Sequence, residues 1–277
     1  MTTESPARYD SARRRRPLFS DVENLRSHRG LLRLLVVRDL TVRYKRSSLG
    51  VWWTLLNPLL FSGALWIVFG QIFRFETPGV PYIVYLLSGV LFMTFFAQGV
   101  TTTGSAIVNS ASILTKVSVP PEIFSFAAAL AAGANFVLSL VPLLLAQLLL
   151  GVGIPWTVIL VPIPVVATVV FIAGIGLLVA SAAVFFYDIL DLTAVFIQLI
   201  SYLTPSFYPV EIIPDQFIWL VNLNPLYSYL TVFRGFVYGG EFAPAWQFAY
   251  MFGSAIAAFL LGIWVFSRSW KNLVVRI

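Results

Sequence analysis

Six nearly uninterrupted apolar stretches, near residues 51–73, 80–108, 123–150, 156–186, 192–210 and 246–266, constrain this chain more than any other feature. Each is about 20 residues or longer, the length at which an α-helix crosses the ~30 Å hydrocarbon layer of a bilayer. Lipid offers no partners to a backbone, so a segment immersed there must satisfy its own amides as a helix. The expected fold is therefore all-α and integral to the membrane, with six transmembrane helices. With 59% hydrophobic and 11% charged residues in 277, no sizeable soluble domain fits beside them. Two regions are expected: a basic cytoplasmic tail over 1–30 and a transmembrane domain over 31–277.

Residues 216–238 are also apolar, but Asn222, Asn224, Pro225, Arg234 and Gly235 cut them into pieces too short to cross. A cation such as Arg234 at the bilayer centre costs about 2.5 to 3.5 kcal/mol on insertion scales. A re-entrant pair of short helices between spans five and six fits better. Sidedness agrees, because twelve Lys and Arg residues precede the first span, Lys116 lies between spans two and three, and Arg268, Lys271 and Arg276 follow the last. Six crossings put all of these on one face and leave Arg74 and Arg234 for the other. That is the positive-inside pattern with both termini cytoplasmic.

The run Arg13 to Arg16 reads as a solvated tail near anionic lipid heads. No short apolar core with a cleavage site follows it, as a signal peptide requires, and no aromatic partners accompany it for nucleic-acid binding. From Leu31 to Arg46, apolar and basic residues alternate at helical spacing. Leu32, Val36, Leu40 and Tyr44 share one face, with Arg29 and Arg33 on another, as in a helix lying on the membrane surface. Such a helix serves as a lipid anchor or as a docking surface for a cytoplasmic partner.

Several chemistries are excluded. There is no cysteine and His28 is the sole histidine, so thiol catalysis and Cys/His metal clusters are out. The spans hold almost no acidic residue for ion coupling; Asp188 and Asp191 sit at a turn after span four and read as a solvated turn and helix cap. No nucleophile with a base, or pair of carboxylates, marks an enzyme. No Gly-x-x-x-x-Gly-Lys loop occurs around Lys45, Lys116 or Lys271, so an ATPase driving transport would be a separate chain. What remains is aromatic: Phe, Tyr and Trp make 16% of the chain, with Trp53, Phe61, Phe69, Phe196, Tyr202, Phe207 and Tyr208 among those in the spans. Most such rings face lipid or form interfacial belts; a minority could line a path for a glycan or a lipid.

The local sequence is more specific. The run from Arg38 to Pro58, RDLTVRYKRSSLGVWWTLLNP, resembles the opening of ABC-2 type permeases that export polysaccharides and polyol phosphates. Three further blocks resemble the same family in order: Asn109 to Ile123, Phe185 to Asp191, and Leu203 to Tyr229 with TPSFYP and LNP. One departure is Tyr187, where many members carry Arg before the Asp of the turn.

The resemblance implies a homodimer in the bacterial plasma (inner) membrane with two copies of a nucleotide-binding ATPase, which would hold ATP and Mg; this chain itself would carry no cofactor and no metal. By the same resemblance, ATPase coupling maps onto Arg29, Arg33, Arg38, Ser112, Lys116 and Pro120. The translocation path maps onto Trp53, Phe61, Phe69, Phe196, Tyr202, Phe207 and Tyr208 on spans one and five. The outer gate maps onto Phe217, Trp219, Tyr227 and Arg234. Arg43, Lys45 and Arg46 are candidates to contact the diphosphate of a lipid carrier, or are a plain positive-inside anchor. The expected cargo is a lipid-linked polysaccharide of O-antigen or galactan type. Fifteen Arg against three Lys suggest a GC-rich genome and so an actinobacterial galactan. A permease for small lipids or drugs, and a non-transporting scaffold for glycan synthesis, remain open alternatives.

Overall fold

The computed structural model describes residues 28–45, 52–77, 79–117 and 119–273, and among these residues every regular element is helical. The long helices are α1 (Arg29–Lys45), α2 (Trp52–Leu65, continued by a π-helical turn over Trp66–Ile72) and α3 (Tyr82–Asn109). A single turn α4 (Ala111–Leu114) leads to α5 (Glu122–Leu149), α6 (Pro162–Ala183, preceded by a 3-10 turn over Trp156–Leu160) and α7 (Ile189–Leu203). Two short helices, α8 (Ile218–Leu223) and α9 (Pro225–Arg234), precede α10 (Ala245–Leu273).

Prolines mark the helix starts. Pro81 and Pro121 stand just before α3 and α5, where a missing amide costs nothing, and Pro162 and Pro225 take the first positions of α6 and α9. Asn224 caps α9, its side-chain oxygen accepting from the Leu226 amide at 3.0 Å.

Four helical stretches are long and apolar enough to cross a membrane: 82–114, 122–149, 156–183 and 245–269. Over the other two expected spans the apolar helix is shorter, 56–72 and 189–203. The expected window 192–210 is thus corrected, since α7 stops at Leu203. The cause is Pro205, whose ring excludes the helical conformation from Thr204, and Thr204 is extended at ψ 128°.

Helix α3 is the spine of the bundle, packed against α5 and α6, and α10 lies along α6. The last pair is very close: a Cβ on Gly174 would stand 2.4 Å from the Ala258 backbone, and one on Gly262 would stand 2.4 Å from the Gly174 carbonyl oxygen. Ala258 and Gly262 are four apart, the small-residue spacing that lets two membrane helices touch backbone to backbone. The centre is aromatic. Phe95 stacks on Phe136 at 4.4 Å, Phe92 on Phe233 at 5.6 Å, and Phe171 on Tyr229 at 5.2 Å. Phe233 and Tyr229 belong to α9, so this short helix is anchored deep in the bundle, with the Tyr229 hydroxyl donating to the Met251 carbonyl at 2.8 Å.

Candidate functional site

Helices α2, α3 and α7 flank a groove of about 720 Å³. Its aromatic lining comes from Phe61 and Phe69 on the α2 side and from Tyr202, Phe207 and Tyr208 at the end of α7. The lining also includes Gln98, Thr101 and Thr102 of α3 and Gln198 and Ser201 of α7. Rings continue past the groove: Phe69 meets Phe75 at 5.6 Å, Phe75 meets Tyr82 at 6.3 Å, and Tyr82 meets Tyr85 at 6.2 Å. The exposed lining is predominantly apolar, with ring faces that suit C–H surfaces.

The far end of the groove is built by residues 204–209, which leave α7 as irregular backbone yet are largely buried. Buried carbonyls outside a helix need donors, and here they receive them from other elements. The Tyr82 hydroxyl donates to the Phe207 carbonyl, and the Tyr85 hydroxyl lies 2.9 Å from the Pro205 carbonyl and 2.8 Å from that of Tyr208. Arg234 donates to the carbonyls of Pro205 at 2.8 Å, Ser206 at 3.1 Å and Tyr85 at 3.2 Å, and to the Ser88 hydroxyl at 3.1 Å. Its guanidinium carbon also lies 3.6 Å from the Tyr85 ring centroid. The Asn224 amide donates to the Thr204 hydroxyl at 2.8 Å. Gly89 makes the approach possible, because a Cβ there would stand 2.2 Å from the Ser206 carbonyl oxygen.

Five of the seven aromatic residues expected on a path, Phe61, Phe69, Tyr202, Phe207 and Tyr208, thus share one groove. Phe196 lies on an exposed face of α7 and Trp53 near the start of α2, at 57% and 50% exposure, and the groove lining does not include them. Of the expected gate residues, Phe217 and Trp219 are exposed at α8 and its preceding turn, and Tyr227 is half-buried. Arg234 clamps the segment after α7. Sequence reasoning missed Gln98, Gln198 and the Tyr85–Gly89–Arg234 clamp. The glutamines carried a signal, two amides inside otherwise apolar windows.

At the other end of the bundle α1 packs on the start of α5. Leu35 is buried against Ile123, Phe124 and Ala127, with Leu31, Leu32, Val36, Leu114 and Val119 around them. The expected apolar face is therefore shifted: Leu32, Val36 and Leu40 are half-buried and Leu35 is the buried centre, because α1 buries its stripe against protein. Tyr44 and Arg43 belong to α1, but their side chains lie outside the described residues, as does Arg46; Lys45 is exposed. Arg29, Arg33, Ser112 and Lys116 are exposed around this contact and Pro120 is half-buried. Arg38 pairs with Asp39 at 2.8 Å beside a cavity of about 210 Å³ between α1, α3 and α5. Asp188 and Asp191 are exposed. The cap reading of Asp188 is corrected: its backbone is already helical, at φ −59° and ψ −16°, and its side chain makes no capping bond.

The comparisons point the same way as the quoted blocks. Residues 30–238 match the family described as ABC-2 type transporter. The chain is 31% identical over 219 residues to an O-antigen export system permease protein of Myxococcus xanthus, covering 78% of this chain and 84% of that one. It is 28% identical to a protein of the same description from Klebsiella pneumoniae, covering 76% of this chain and 81% of that one. A capsule polysaccharide export inner-membrane protein of Neisseria meningitidis is 22% identical over 92% of this chain and 96% of that one. With the match covering most of the chain and its apolar helices packed as a bundle, this protein belongs to the ABC-2 type transporter family of membrane permeases.

Proposed function

We propose that this chain is the membrane-spanning subunit of an ATP-driven exporter that carries a lipid-linked polysaccharide across a bacterial plasma membrane. The groove carries this reading: it gathers five aromatic rings, whose faces suit the C–H surfaces of sugar rings, in a predominantly apolar lining with a few amides and hydroxyls. The export permeases to which the chain is similar support it.

In this reading α2 with its π turn, and α7 with the segment after it, complete six crossings. Both termini are cytoplasmic, as the clustering of Lys and Arg supports. Helices α8 and α9 enter and leave one face without crossing; at 6 and 10 residues they are roughly 9 and 15 Å long. Two copies of the chain face each other across their grooves, so that each closes the open side of the other. Two ATPase subunits dock where α1 meets α5, using Arg29, Arg33, Ser112, Lys116 and Pro120. Their closure on ATP shifts this contact and, through α3, the groove. Arg43, Lys45 and Arg46 meet the diphosphate of the carrier as it enters. A galactan is the favoured polymer within this class, from the arginine-rich composition.

The test is purification from native membranes in mild detergent, followed by reconstitution with whatever P-loop ATPase accompanies the chain. A stoichiometric ATPase and ATP-dependent passage of a polyprenyl-diphosphate-linked glycan are expected. Repeated recovery of the intact chain with no ATPase would overturn the reading in favour of a scaffold.

A further inference from the structure

The cavity where α1 meets α3 and α5 holds a matched pair of opposite charges. Helix α3 has 28 residues and is therefore ~42 Å long, close to the ~40–45 Å of a bilayer with its headgroups. Its last residue, Asn109, and the following Ser110 consequently stand at headgroup level. There they line the cavity of about 210 Å³ together with Arg38 and Asp39 of α1 and Phe124 of α5. Thr102, one to two turns back along α3 and ~12 Å deeper than Ser110, lines both this cavity and the groove between α2, α3 and α7. The cavity thus leads from a charged mouth to apolar surface at hydrocarbon depth.

Its polar groups are only partly satisfied. Arg38 donates from Nε and Nη2 to a single oxygen of Asp39, Oδ1, at 3.0 and 2.8 Å. Nη1 of the guanidinium and Oδ2 of the carboxylate have no hydrogen-bond partner among the described residues, and the two side chains are 39% and 32% exposed. Ser110 is 6% exposed, yet its hydroxyl makes no capping bond to α4 and has no other partner among the described residues. A buried hydroxyl and two half-used ions around one cavity are groups that a polar ligand completes. A bare anion there would face Asp39, and a bare cation Arg38; a zwitterion meets a counter-charge at both ends.

We propose that this cavity binds the phosphoethanolamine headgroup of a phospholipid, the phosphate on Arg38 Nη1 and the Ser110 hydroxyl, and the ammonium on Asp39 Oδ2. The ammonium brings three N–H donors to the carboxylate. A trimethylated choline brings none, and Phe124, the only ring among the described lining residues, makes no aromatic cage to replace them. A phosphatidylglycerol headgroup supplies the phosphate without the cation and leaves Asp39 beside an unbalanced negative charge. The acyl chain leaves past Thr102 along the apolar wall, a contact that soluble phosphoethanolamine lacks. A lipid held in this way braces α1 against α3 and α5 beside the contact centred on Leu35, which also lines the cavity.

The test is native mass spectrometry of the detergent-purified full chain, titrated with equal concentrations of dioleoyl phosphatidylethanolamine, phosphatidylcholine or phosphatidylglycerol. Phosphatidylethanolamine is expected to be retained about tenfold more than either of the others, the scale of one charge-assisted hydrogen bond. Asp39→Asn is expected to bring its retention down to that of phosphatidylcholine and to raise that of phosphatidylglycerol, a gain that misfolding cannot mimic. Ser110→Ala, which removes one buried hydroxyl and keeps the ion pair, is expected to weaken retention about threefold with the preference preserved. Equal retention of the three lipids by the wild type, or an unchanged preference in Asp39→Asn, would overturn the proposal. Displacement of the bound lipid by equimolar soluble phosphoethanolamine would overturn the lipid as the source of the headgroup. Because neither ATP nor a glycan takes part, failure on any of these counts leaves the export reading standing.

Discussion

Replacing Gly89 with alanine tests whether the segment after α7 is held as the geometry implies. The added Cβ would stand 2.2 Å from the Ser206 carbonyl oxygen and 2.9 Å from an Arg234 guanidinium nitrogen. Neither neighbour is the free end of a flexible side chain: one is backbone, and the other is tied at 2.8 to 3.2 Å to three carbonyls and a hydroxyl. Overpacking of this kind costs about 1–3 kcal/mol. Displacing Ser206 from Arg234 removes a charge-assisted bond worth ~1.5–3 kcal/mol more. Alanine's better helix propensity returns about 1 kcal/mol.

The net loss is roughly 1.5–5 kcal/mol, or a fall of about 3–9 °C in thermal midpoint for a chain of this size. Gly63→Ala is the matched control, since a Cβ there meets nothing within 4 Å and only the propensity gain remains. The assay is thermal unfolding of the detergent-purified chain followed by the fluorescence of its 8 tryptophans. If Gly89→Ala unfolds together with Gly63→Ala, the close contact between α3 and the segment after α7 is not as described.

Three further outcomes are expected. Arg234→Met leaves the carbonyls of Pro205 and Ser206 without their cation and lowers stability by at least ~3 kcal/mol, with Arg234→Lys recovering only part because an ammonium lacks the planar fork; equal midpoints for Lys and Arg would refute the clamp. Leu35→Ala, which empties the centre of the contact between α1 and α5, costs ~2–3 kcal/mol and exposes α1 to limited proteolysis, whereas Leu34→Ala on the exposed side, at 63% exposure, changes little. Phe207→Trp or Tyr208→Trp, each narrowing the groove, lowers glycan passage about tenfold with assembly intact; undiminished flux in both would move the path elsewhere.

Much of the fold was legible because membrane helices announce themselves locally. A run of apolar residues is enough to specify a helix in lipid, since its backbone has no other partner, and prolines at 81, 121, 162 and 225 mark where four helices begin. The break after α7 was missed by the hydropathy window but was readable in Pro205, which acts on the residue before it. The rings of the groove were visible as a class, yet nothing local separates Phe207, which lines it, from Phe196, which lies on an exposed face outside its lining.

By itself the sequence determined the membrane as solvent, the all-helical architecture, the clustering of its Lys and Arg residues and the lack of a nucleotide-binding loop within these 277 residues. Each follows from composition or short spacing, where one residue's neighbours along the chain are its physical environment. Only the tertiary structure decided that Leu35 is the buried centre of α1, that Gln98 and Gln198 line one groove, and that Arg234 clamps residues 205–206. Those facts depend on which helix faces meet. Arg234 is read as an isolated charge until α3 and residues 205–206 bring it a hydroxyl, three carbonyls and a ring. Partners separated by 28 to 149 positions leave no periodic trace, because their pairing is settled by packing geometry and by the need of buried carbonyls for donors.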